Sequence, residues 1–445
     1  MTHARRWWMG ALVAVLLLLA GGAWYAWRLL PNDEALAADI GERFQKATGI
    51  ELRVGEASWS LRPTPVVVLE NLATEQDKPI TVRRVVLRPR LDALWRRSIA
   101  IEAVEVEGVV LHWASVRAFR GRWQGGEVSG MLAGAWTTAD IPVERVRLRD
   151  ITWINRRELA LAYDADVRFD AGWRPREAEA WRPGVSPEAR LRLTREGEAD
   201  RWDVQIAAGG GTWNGQAALE TSDKGRMRLS AQLDPHNVDV GDLVRAFGRN
   251  QAVEGRIEGR TDVRSEGDNV GELIRHFNTR TRFTIRPATL KGFDLSKVVG
   301  APGSAKGGQT ALDELTGTLE TQNTGDGIQL RYAGLQARSG VLSASGSATV
   351  LNRRLNGDVA IDLVDGVVGL PLKLAGTLDD PQVSLTGGAL AGAAVGTAVL
   401  PGVGTAIGAR VGQQVEKMFG SEEEKKKKQQ QPAAPRKAPA APLLP

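Results

Sequence analysis

The sequence predicts a mainly β protein: an N-terminal transmembrane helix, a long antiparallel β-sheet with a few short helices, and then a glycine-rich helical hairpin. Three observations predict this architecture. An uncharged N-terminal stretch is long enough to cross a bilayer, apolar and polar residues alternate along the body, and glycines recur at four-residue spacing after it. The 50 glycines and 14 tryptophans suit many short strands and turns better than a helical bundle.

The transmembrane helix is predicted from residues 7–27, which carry no charge and are mostly Leu, Val, Ala and Trp. About 20 helical residues cross a hydrocarbon core about 30 Å thick. Arg5 and Arg6 precede the stretch, so the positive-inside rule places the N-terminus in the cytoplasm and the body outside it. A cleaved signal peptide is the alternative, with the small residues 20–23 as its cleavage region. The aromatic residues that follow, and then Arg28, favour an anchor.

An amphipathic helix is predicted next, over residues 31–48. Leu36, Ile40 and Phe44 recur every four residues and form one apolar stripe, as in a helix that lies on a sheet. Gly49 supplies the residue type that ends many helices in a left-handed conformation.

Strands are predicted through the rest of the body from period-two alternation. The clearest runs are residues 159–169, 202–206, 227–233, 283–285, 342–350 and 355–363. Turn signals separate them at 214–215 (Asn-Gly), 324–327 and 352–354, short helices are predicted at 238–248 and 270–277, and 173–187 is predicted to be a loop. Few helices come between the strands, which predicts an antiparallel meander rather than parallel βαβ units.

A helical hairpin is predicted over residues 386–420. Residues 381–409 carry no charge, and a Pro401-Gly402 turn divides two series of glycines with four-residue spacing: Gly388, Gly392, Gly396, and then Gly404, Gly408, Gly412. Small residues at this spacing let two helices approach closely, as in membrane helix pairs. Three roles stay open: insertion into a membrane, a water-soluble hairpin that plugs the end of the sheet, and a flexible linker. The charged, Pro- and Ala-rich tail 421–445 is predicted to be disordered.

Composition argues against several classes of chemistry. The chain has no cysteine, so disulfides, thiolate metal sites and cysteine nucleophiles are excluded. Its four histidines are isolated from one another, and His112 is predicted to lie on a strand surface. No metalloprotease, nucleophile-elbow, Walker A or dinucleotide-binding motif occurs. The net charge of +5 is spread along the chain, which does not favour nucleic acid. We therefore expect no enzyme, no catalytic residue, no metal and no cofactor.

Both ends of the chain resemble one family. The N-terminal evidence is ATGIELRVGEASWSLRPTPVVVLENL at 47–72 and the strand–helix–strand pattern at 83–113. The C-terminal evidence is 255–299, 310–330 and PLKLAGTLDDPQVSL at 371–385, in which Gly-Thr-Leu-Asp-Asp-Pro is the most specific piece. In this order the segments resemble the AsmA family of envelope proteins in Gram-negative bacteria. The region 114–235 is similar only in texture.

The resemblance implies a curled sheet with an apolar groove, as in bridge-like lipid transfer proteins. It implies a single-pass protein of the inner membrane with a periplasmic body, whose partners are the inner membrane, phospholipid, and the outer membrane or its assembly proteins. Its function would be phospholipid transfer and outer-membrane biogenesis. Alternation alone also fits a closed sandwich or barrel core. The alternative functions are a structural or chaperone-like factor for outer-membrane protein assembly and, less favoured, an envelope hydrolase.

These expectations divide the chain into seven parts. They are the cytoplasmic end (1–6), the transmembrane helix (7–30), the amphipathic helix (31–48), the N-terminal part of the β-groove (49–235), its C-terminal part (236–385), the hairpin (386–420) and the tail (421–445). Twenty residues are expected to line the groove: Val66, Val68, Ile99, Ile101, Leu161, Tyr163, Val167, Phe169, Val204, Ile206, Leu229, Leu233, Phe283, Ile285, Leu319, Leu330, Leu342, Val350, Val359 and Ile361.

Overall fold

The structure, a computed structural model, describes most of the body of the chain. The described residues are 33–60, 64–90, 92–93, 98–119, 137–171, 174–248, 251–268, 270–294, 306–324, 327–340, 342–363, 370–378 and 380–386. The chain is mainly β and divides into two compact units, unit 1 (Met1–Ala208 and Ala246–Gly248) and unit 2 (Gly209–Arg245 and Arg249–Pro445).

The amphipathic helix of unit 1 forms as predicted, as α1 (Asp33–Thr48). Asp33 and Glu34 lie in its first turn, where carboxylates complement the helix dipole. Gly49 follows with φ 67°, the left-handed conformation that ends the helix. The apolar stripe packs on the start of the sheet, where Leu36 and Ile40 contact the cluster around Leu69.

The described residues of unit 1 form ten strands. They are β1 (Leu52–Arg53), β2 (Glu56–Ser60), β3 (Val66–Thr74), β4 (Thr81–Pro89), β5 (Ser98–His112), β6 (Thr137–Ile154), β7 (Ala160–Asp170), β8 (Arg174–Trp181), β9 (Arg190–Arg195) and β10 (Arg201–Ala208). Both β1 and β2 pair with β3, and each later strand pairs with the next in the chain.

One pairing in unit 1 differs from the predicted antiparallel meander. Strands β5 and β6 are parallel, with Val104 opposite Val146 and Val109 opposite Ile151. Residues 113–136 connect them and begin with the short helix α2 (Trp113–Ala118). A crossover of this length is what a parallel pair requires, and alternation within a strand does not report its direction.

The loop predicted at 173–187 is wrong over most of its length, because β8 occupies residues 174–181 and pairs with both β7 and β9. Its charged residues suggested an excursion from the sheet. Instead they lie on a ladder face and pair across strands, as Glu177 does with Arg168 and Glu179 with Arg192.

In the part of unit 2 that the structure describes there are twelve strands and two short helices. The strands are β11 (Gly211–Thr221), β12 (Met227–His236), β13 (Val238–Asp239), β14 (Val253–Gly267), β15 (Asn278–Phe293), β16 (Lys306–Leu312), β17 (Glu314–Thr324), β18 (Gly327–Ser339), β19 (Leu342–Leu351), β20 (Arg354–Leu363), β21 (Leu370–Gly376) and β22 (Pro381–Leu385). The helices α3 (Val240–Ala246) and α4 (Val270–Arg275) form where the sequence predicts them.

The described ladder of unit 2 is antiparallel throughout. Its main path runs β11–β12–β14–β15–β17–β18–β19–β20–β21–β22. In addition, β13 pairs with β14, and β16 pairs with β15. The turn predicted at 352–354 is confirmed, since Asn352 and Arg353 have φ values of 49° and 69°. A second predicted turn is also confirmed, because β17 ends at Thr324 and β18 begins at Gly327.

The turn predicted at Asn214–Gly215 is wrong, because both residues lie inside β11. Gly215 pairs with Leu233, and a Cβ on Gly215 would lie 1.8 Å from the carbonyl oxygen of Gln232. The glycine is therefore explained by the close approach of β12 rather than by a turn.

Neither ladder closes within the described residues. No described pairing joins β10 to β2 in unit 1 or β22 to β11 in unit 2, so the prediction of an open sheet is confirmed. Over the same ranges no helix has the length and apolarity needed to span a bilayer. The predicted anchor (7–30), nearly all of the hairpin (386–420) and the tail (421–445) lie outside the described residues.

Candidate functional site

One face of the unit 1 sheet is apolar across consecutive strands. The ladder register places residues directly opposite one another, and partners in a ladder share a face. One such row is Val67, Leu87, Val104, Val146, Val167, Ala178, Leu193 and Val204. A parallel row contains Leu69, Val85, Val106, Leu148, Ala165, Ala180, Leu191 and Ile206. We call this surface the apolar face of unit 1.

The unit 2 sheet has an apolar face of the same kind. One row is Ile285, Leu315, Ala337, Ala344, Ile361 and Leu370, and another is Leu319, Tyr332, Ala348, Gly357, Leu374 and Val383. Towards β14 the face becomes more polar, but Thr261 and Thr281 satisfy each other there through a hydroxyl hydrogen bond of 3.0 Å.

These faces are only partly covered. In unit 2 the most buried cluster, around Phe283 and Leu315, is formed by side chains of β14–β19 and by Val240 of α3. Elsewhere on the face, Leu229, Leu330 and Val359 are half-buried. Both rows of unit 1 are also mostly half-buried, although Leu69 and Val204 are buried. A sheet face packed against a second layer would be buried along its length, so each face leaves apolar surface in contact with solvent.

The structure brings most of the predicted unit 1 residues together. Six of them lie on the apolar face: Leu161, Tyr163, Val167, Phe169, Val204 and Ile206. Val66 and Val68 do not, because Val68 pairs with Val86 and belongs to the opposite, charged face. Ile101 pairs with Pro89 at a register shift near the end of the ladder. The side chain of Ile99 lies outside the described residues.

All ten residues predicted in unit 2 map to one face by their register. They are Leu229, Leu233, Phe283, Ile285, Leu319, Leu330, Leu342, Val350, Val359 and Ile361, of which Leu342 is placed by its backbone pairing alone. Sequence reasoning missed Val67 and Leu69 in unit 1, the true face residues of β3. Four apolar residues in succession at 66–69 hide the alternation, and only the partners in β4 identify the face.

The opposite face of unit 1 carries a ladder of ion pairs. Glu105 on β5 accepts hydrogen bonds from Arg88 on β4 at 2.6 Å and from Arg147 on β6 at 2.8 Å. Asp166 on β7 accepts one from Arg145 at 2.8 Å. The Arg88 hydrogen bond lowers the pKa of Glu105, with a further contribution from Arg147, and Arg145 likewise lowers the pKa of Asp166. This face suits water, since its charges are paired across strands.

Tyr163 is the titratable group among the predicted residues of the apolar face. Burial raises the pKa of its hydroxyl, so it stays neutral at physiological pH. The Arg182 guanidinium lies 5.4 Å from the centre of the Tyr163 ring, a cation–π distance.

His112 is buried, and its prediction as a strand-surface residue is wrong. It ends β5 and caps α2, because its Nδ1 accepts the Ala114 N–H at 3.2 Å. Its Nε2 lies 3.1 Å from both oxygens of Glu158 and 2.9 Å from the Lys78 ammonium nitrogen. Both ring nitrogens of His112 therefore have hydrogen-bond partners, which explains why this polar side chain can be buried.

Among the described residues, no arrangement of side chains is typical of a catalytic site. A cleft of about 850 Å³ lies between α1 and the strands β1 and β2. Its lining is acidic and therefore does not suit an acyl chain, since it includes Asp33, Glu34, Glu42, Glu51 and Glu56. No group of three histidine, aspartate or glutamate side chains is placed to hold a metal ion in the described ranges. We assign no catalytic group among the described residues.

Comparison with known families gives a match near the C-terminal end of the described residues. A family model described as "Glycine zipper" matches residues 385–427, the segment that begins at the last residue of β22. The matched segment contains all six glycines of the predicted hairpin. Neither the comparison with curated proteins nor that with solved structures finds a match for this chain.

Proposed function

We propose that this chain is an AsmA-like protein, anchored in the inner membrane of a Gram-negative bacterium, that transfers phospholipid and contributes to outer-membrane biogenesis. Its body faces the periplasm. The acyl chains of the lipid lie along the apolar faces of units 1 and 2, while the charged faces meet water. No catalysis is involved, and no cofactor is required.

The observation that carries this proposal is that both sheets present rows of apolar side chains across successive strands, and that many of these side chains are only half-buried. Exposed apolar surface on this scale is costly in water and usually marks a binding surface. An acyl chain gains about 0.8 kcal/mol for each methylene that it removes from water. A strip of valine and leucine side chains with no charged residue in its rows is therefore a suitable path for a lipid tail.

Two features of the sequence support the membrane setting. The uncharged residues 7–27 after Arg5 and Arg6 have the length and flanks of an anchor. The Glycine zipper match at 385–427 covers residues that include a long uncharged stretch with small residues at helix-packing spacing. The segments that resemble the AsmA family, 255–299 and 371–385 among them, lie largely in the strands of unit 2.

The proposal is tested by photo-crosslinking in the full chain, expressed in Gram-negative cells. A photoreactive amino acid replaces Leu229 or Val167, which are half-buried on the apolar faces. The matched controls are the next residues on the same strands, Ser230 and Arg168, which are exposed on the opposite faces. We expect phospholipid adducts, identified by mass spectrometry, at the first two positions only.

Two results would contradict the proposal. Adducts of equal yield at the matched controls would show that lipid contact is not directed by the face. Adducts to outer-membrane proteins at Leu229 and Val167, without lipid, would favour the chaperone-like alternative.

A further inference from the structure

Five hairpin ends meet at one end of the unit 2 sheet. The register places Thr221 opposite Met227 and Met227 opposite Gly267, so the β11–β12 turn lies beside the end of β14. In the same way the connections β14–β15, β17–β18, β19–β20 and β21–β22 follow along this end. We call residues 222–226, 268, 270–277, 324, 327–328, 351–354, 376–378 and 380–381 the tip rim.

The tip rim carries exposed large hydrophobic side chains. Ile274 is 65 % exposed, Ile328 54 %, Phe277 39 % and Leu378 37 %. Among the described residues of unit 2, no other large hydrophobic side chain reaches this degree of exposure. Their concentration at one end of one sheet is the observation to be explained, because singly scattered exposed residues are normal and a collected set is not.

Local contacts direct the exposed isoleucine side chains towards solvent. In α4, Leu273 is buried and its carbonyl accepts a hydrogen bond from the Ser265 hydroxyl, which turns the adjacent Ile274 to solvent. Asn323 joins α4 to the β17–β18 hairpin, since its side-chain amide donates to the Ile274 carbonyl at 3.3 Å. Asn323 is also the register partner of Ile328. Asn323 therefore contacts the backbone of both segments that carry the exposed isoleucines.

The rim is close to electrically neutral. Its described residues include five basic side chains, Lys224, Arg226, Arg275, Arg353 and Arg354, and four carboxylates, Asp223, Asp268, Glu272 and Asp380. Charge therefore supplies little attraction to an anionic surface, and the apolar side chains would supply the affinity.

We propose that the tip rim docks on a lipid bilayer and inserts Ile274, Phe277, Ile328 and Leu378 among its headgroups and first methylenes. Neighbouring hairpin ends lie two strands apart, about 10 Å. A discontinuous row of this kind lacks the packed central patch of a protein interface, and a fluid surface needs no matched shape. The rim is also continuous with the apolar face, since Leu330 follows Ile328 by two residues on β18. Docking itself does not require that the face carry lipid.

The test exploits the absence of cysteine from the chain. Single Ile274→Cys, Ile328→Cys and Leu378→Cys variants of the full chain, held in nanodiscs, are labelled with an environment-sensitive fluorophore. Phosphatidylcholine vesicles that contain a spin-labelled quencher lipid are then added. The matched control is Val116→Cys, an exposed apolar residue of α2 in unit 1, at 36 % exposure. We expect quenching and a blue shift at the three rim positions and neither at position 116.

A second measurement uses Ile274→Asp with Ile328→Asp, and Val116→Asp as its control. Losing two inserted side chains should lower rim quenching, read from a label at position 378, at least about tenfold. Replacing a third of the phosphatidylcholine with phosphatidylglycerol should change docking less than about threefold, since the rim is near neutral.

Three results would overturn the proposal: rim labels that stay in water with vesicles present, equal quenching at position 116, and quenching that needs membrane proteins in the vesicles. The last would assign the rim to a protein partner. The crosslinks at Leu229 and Val167 are independent of all three, so failure of docking and failure of lipid binding can be distinguished.

Discussion

The side-chain amide of Asn323 donates a hydrogen bond to the carbonyl oxygen of Ile274, 3.3 Å away, while its backbone N–H donates to the Phe277 carbonyl at 3.4 Å. One residue at the end of β17 therefore holds α4 and the start of β15. These contacts join the β14–β15 and β17–β18 connections beyond the strand ladder.

Removing this contact should loosen α4 without unfolding the sheet. An exposed side-chain hydrogen bond contributes about 0.5–1 kcal/mol, so Asn323→Ala should leave the unfolding midpoint nearly unchanged. Hydrogen exchange over residues 270–277 should become several-fold faster, and rim quenching should weaken. The control is Gln322→Ala, one residue earlier on the opposite face. Equal exchange in the two variants would show that Asn323 does not hold the helix.

A charge placed on the apolar face should block lipid transfer. Leu330→Asp puts a carboxylate on the face beside Val350, where an acyl chain would otherwise lie. We expect at least about a tenfold fall in transfer between vesicles, because a desolvated carboxylate costs several kcal/mol. The control is Gln329→Asp, which carries the same charge on the opposite face. Transfer that falls equally in both variants would count against a path along the face.

Unit 1 should lose stability in acid. The pKa of Glu105 is lowered by Arg88 and Arg147, and that of Asp166 by Arg145. Groups with a lowered folded pKa contribute stability that is present above the unfolded pKa, about 4 for these residues, and lost as pH falls through the folded pKa. The thermal midpoint should therefore drop below about pH 4.

The matched variants for this acid loss are Glu105→Gln and Glu107→Gln. Glu105→Gln should lower the midpoint at pH 7 and flatten its dependence on pH, because the amide cannot titrate. Glu107 pairs with Arg83 at 2.8 Å, but its side chain is 50 % exposed, and exposed pairs contribute little. Indistinguishable pH profiles for wild type and Glu105→Gln would refute the assignment.

A methyl group at position 215 should separate β11 from β12. Because the added Cβ would lie 1.8 Å from the Gln232 carbonyl oxygen, backbone must move, and Gly215→Ala should cost about 1–3 kcal/mol. The control is Gly340→Ala, where a Cβ meets no atom within 4 Å and the free energy of unfolding should change by under about 0.5 kcal/mol. Denaturant unfolding measures both, and a tolerated Gly215→Ala would contradict the register of this hairpin.

His112 should contribute through its cap. His112→Ala removes the acceptor of the Ala114 N–H and leaves Glu158 with Lys78 alone, so we expect a loss of about 1–2 kcal/mol. His112→Asn, which can restore the cap, should recover part of it. His236→Ala is the control, because its side chain is 77 % exposed, and it should change the free energy of unfolding little. An Asn variant no better than Ala would remove the cap from the explanation.

Local pattern predicts much of this fold. The period of the apolar residues gives α1, α3, α4 and the clearest strands, and the residues that it selects in unit 2 share one face of the sheet. The failures have physical causes. The run 66–69 is apolar on both faces, so alternation cannot select between Val68 and Leu69. Strand β8 carries arginine and glutamate because its charged face is paired across strands, and such composition resembles a loop.

Other features depend on contacts between distant segments. Whether β6 runs parallel to β5 is decided by the path of the crossover, about which neither strand carries information. Gly215 is explained only by its neighbour on β12, and the burial of His112 only by Lys78 and Glu158. The exposure of Ile274 and Ile328 could likewise not be predicted from the sequence, because a single apolar residue near a turn does not indicate whether it is buried.

The strand order of unit 2 has a consequence for how such a chain changes in evolution. Along its main described path every strand forms backbone hydrogen bonds with strands that are near it in the chain. A hairpin could therefore be duplicated or deleted without disturbing the packing of distant strands, as in repeat proteins. Each added hairpin would widen the sheet by about 10 Å. The width of the sheet is therefore a quantity that this architecture can vary in even steps.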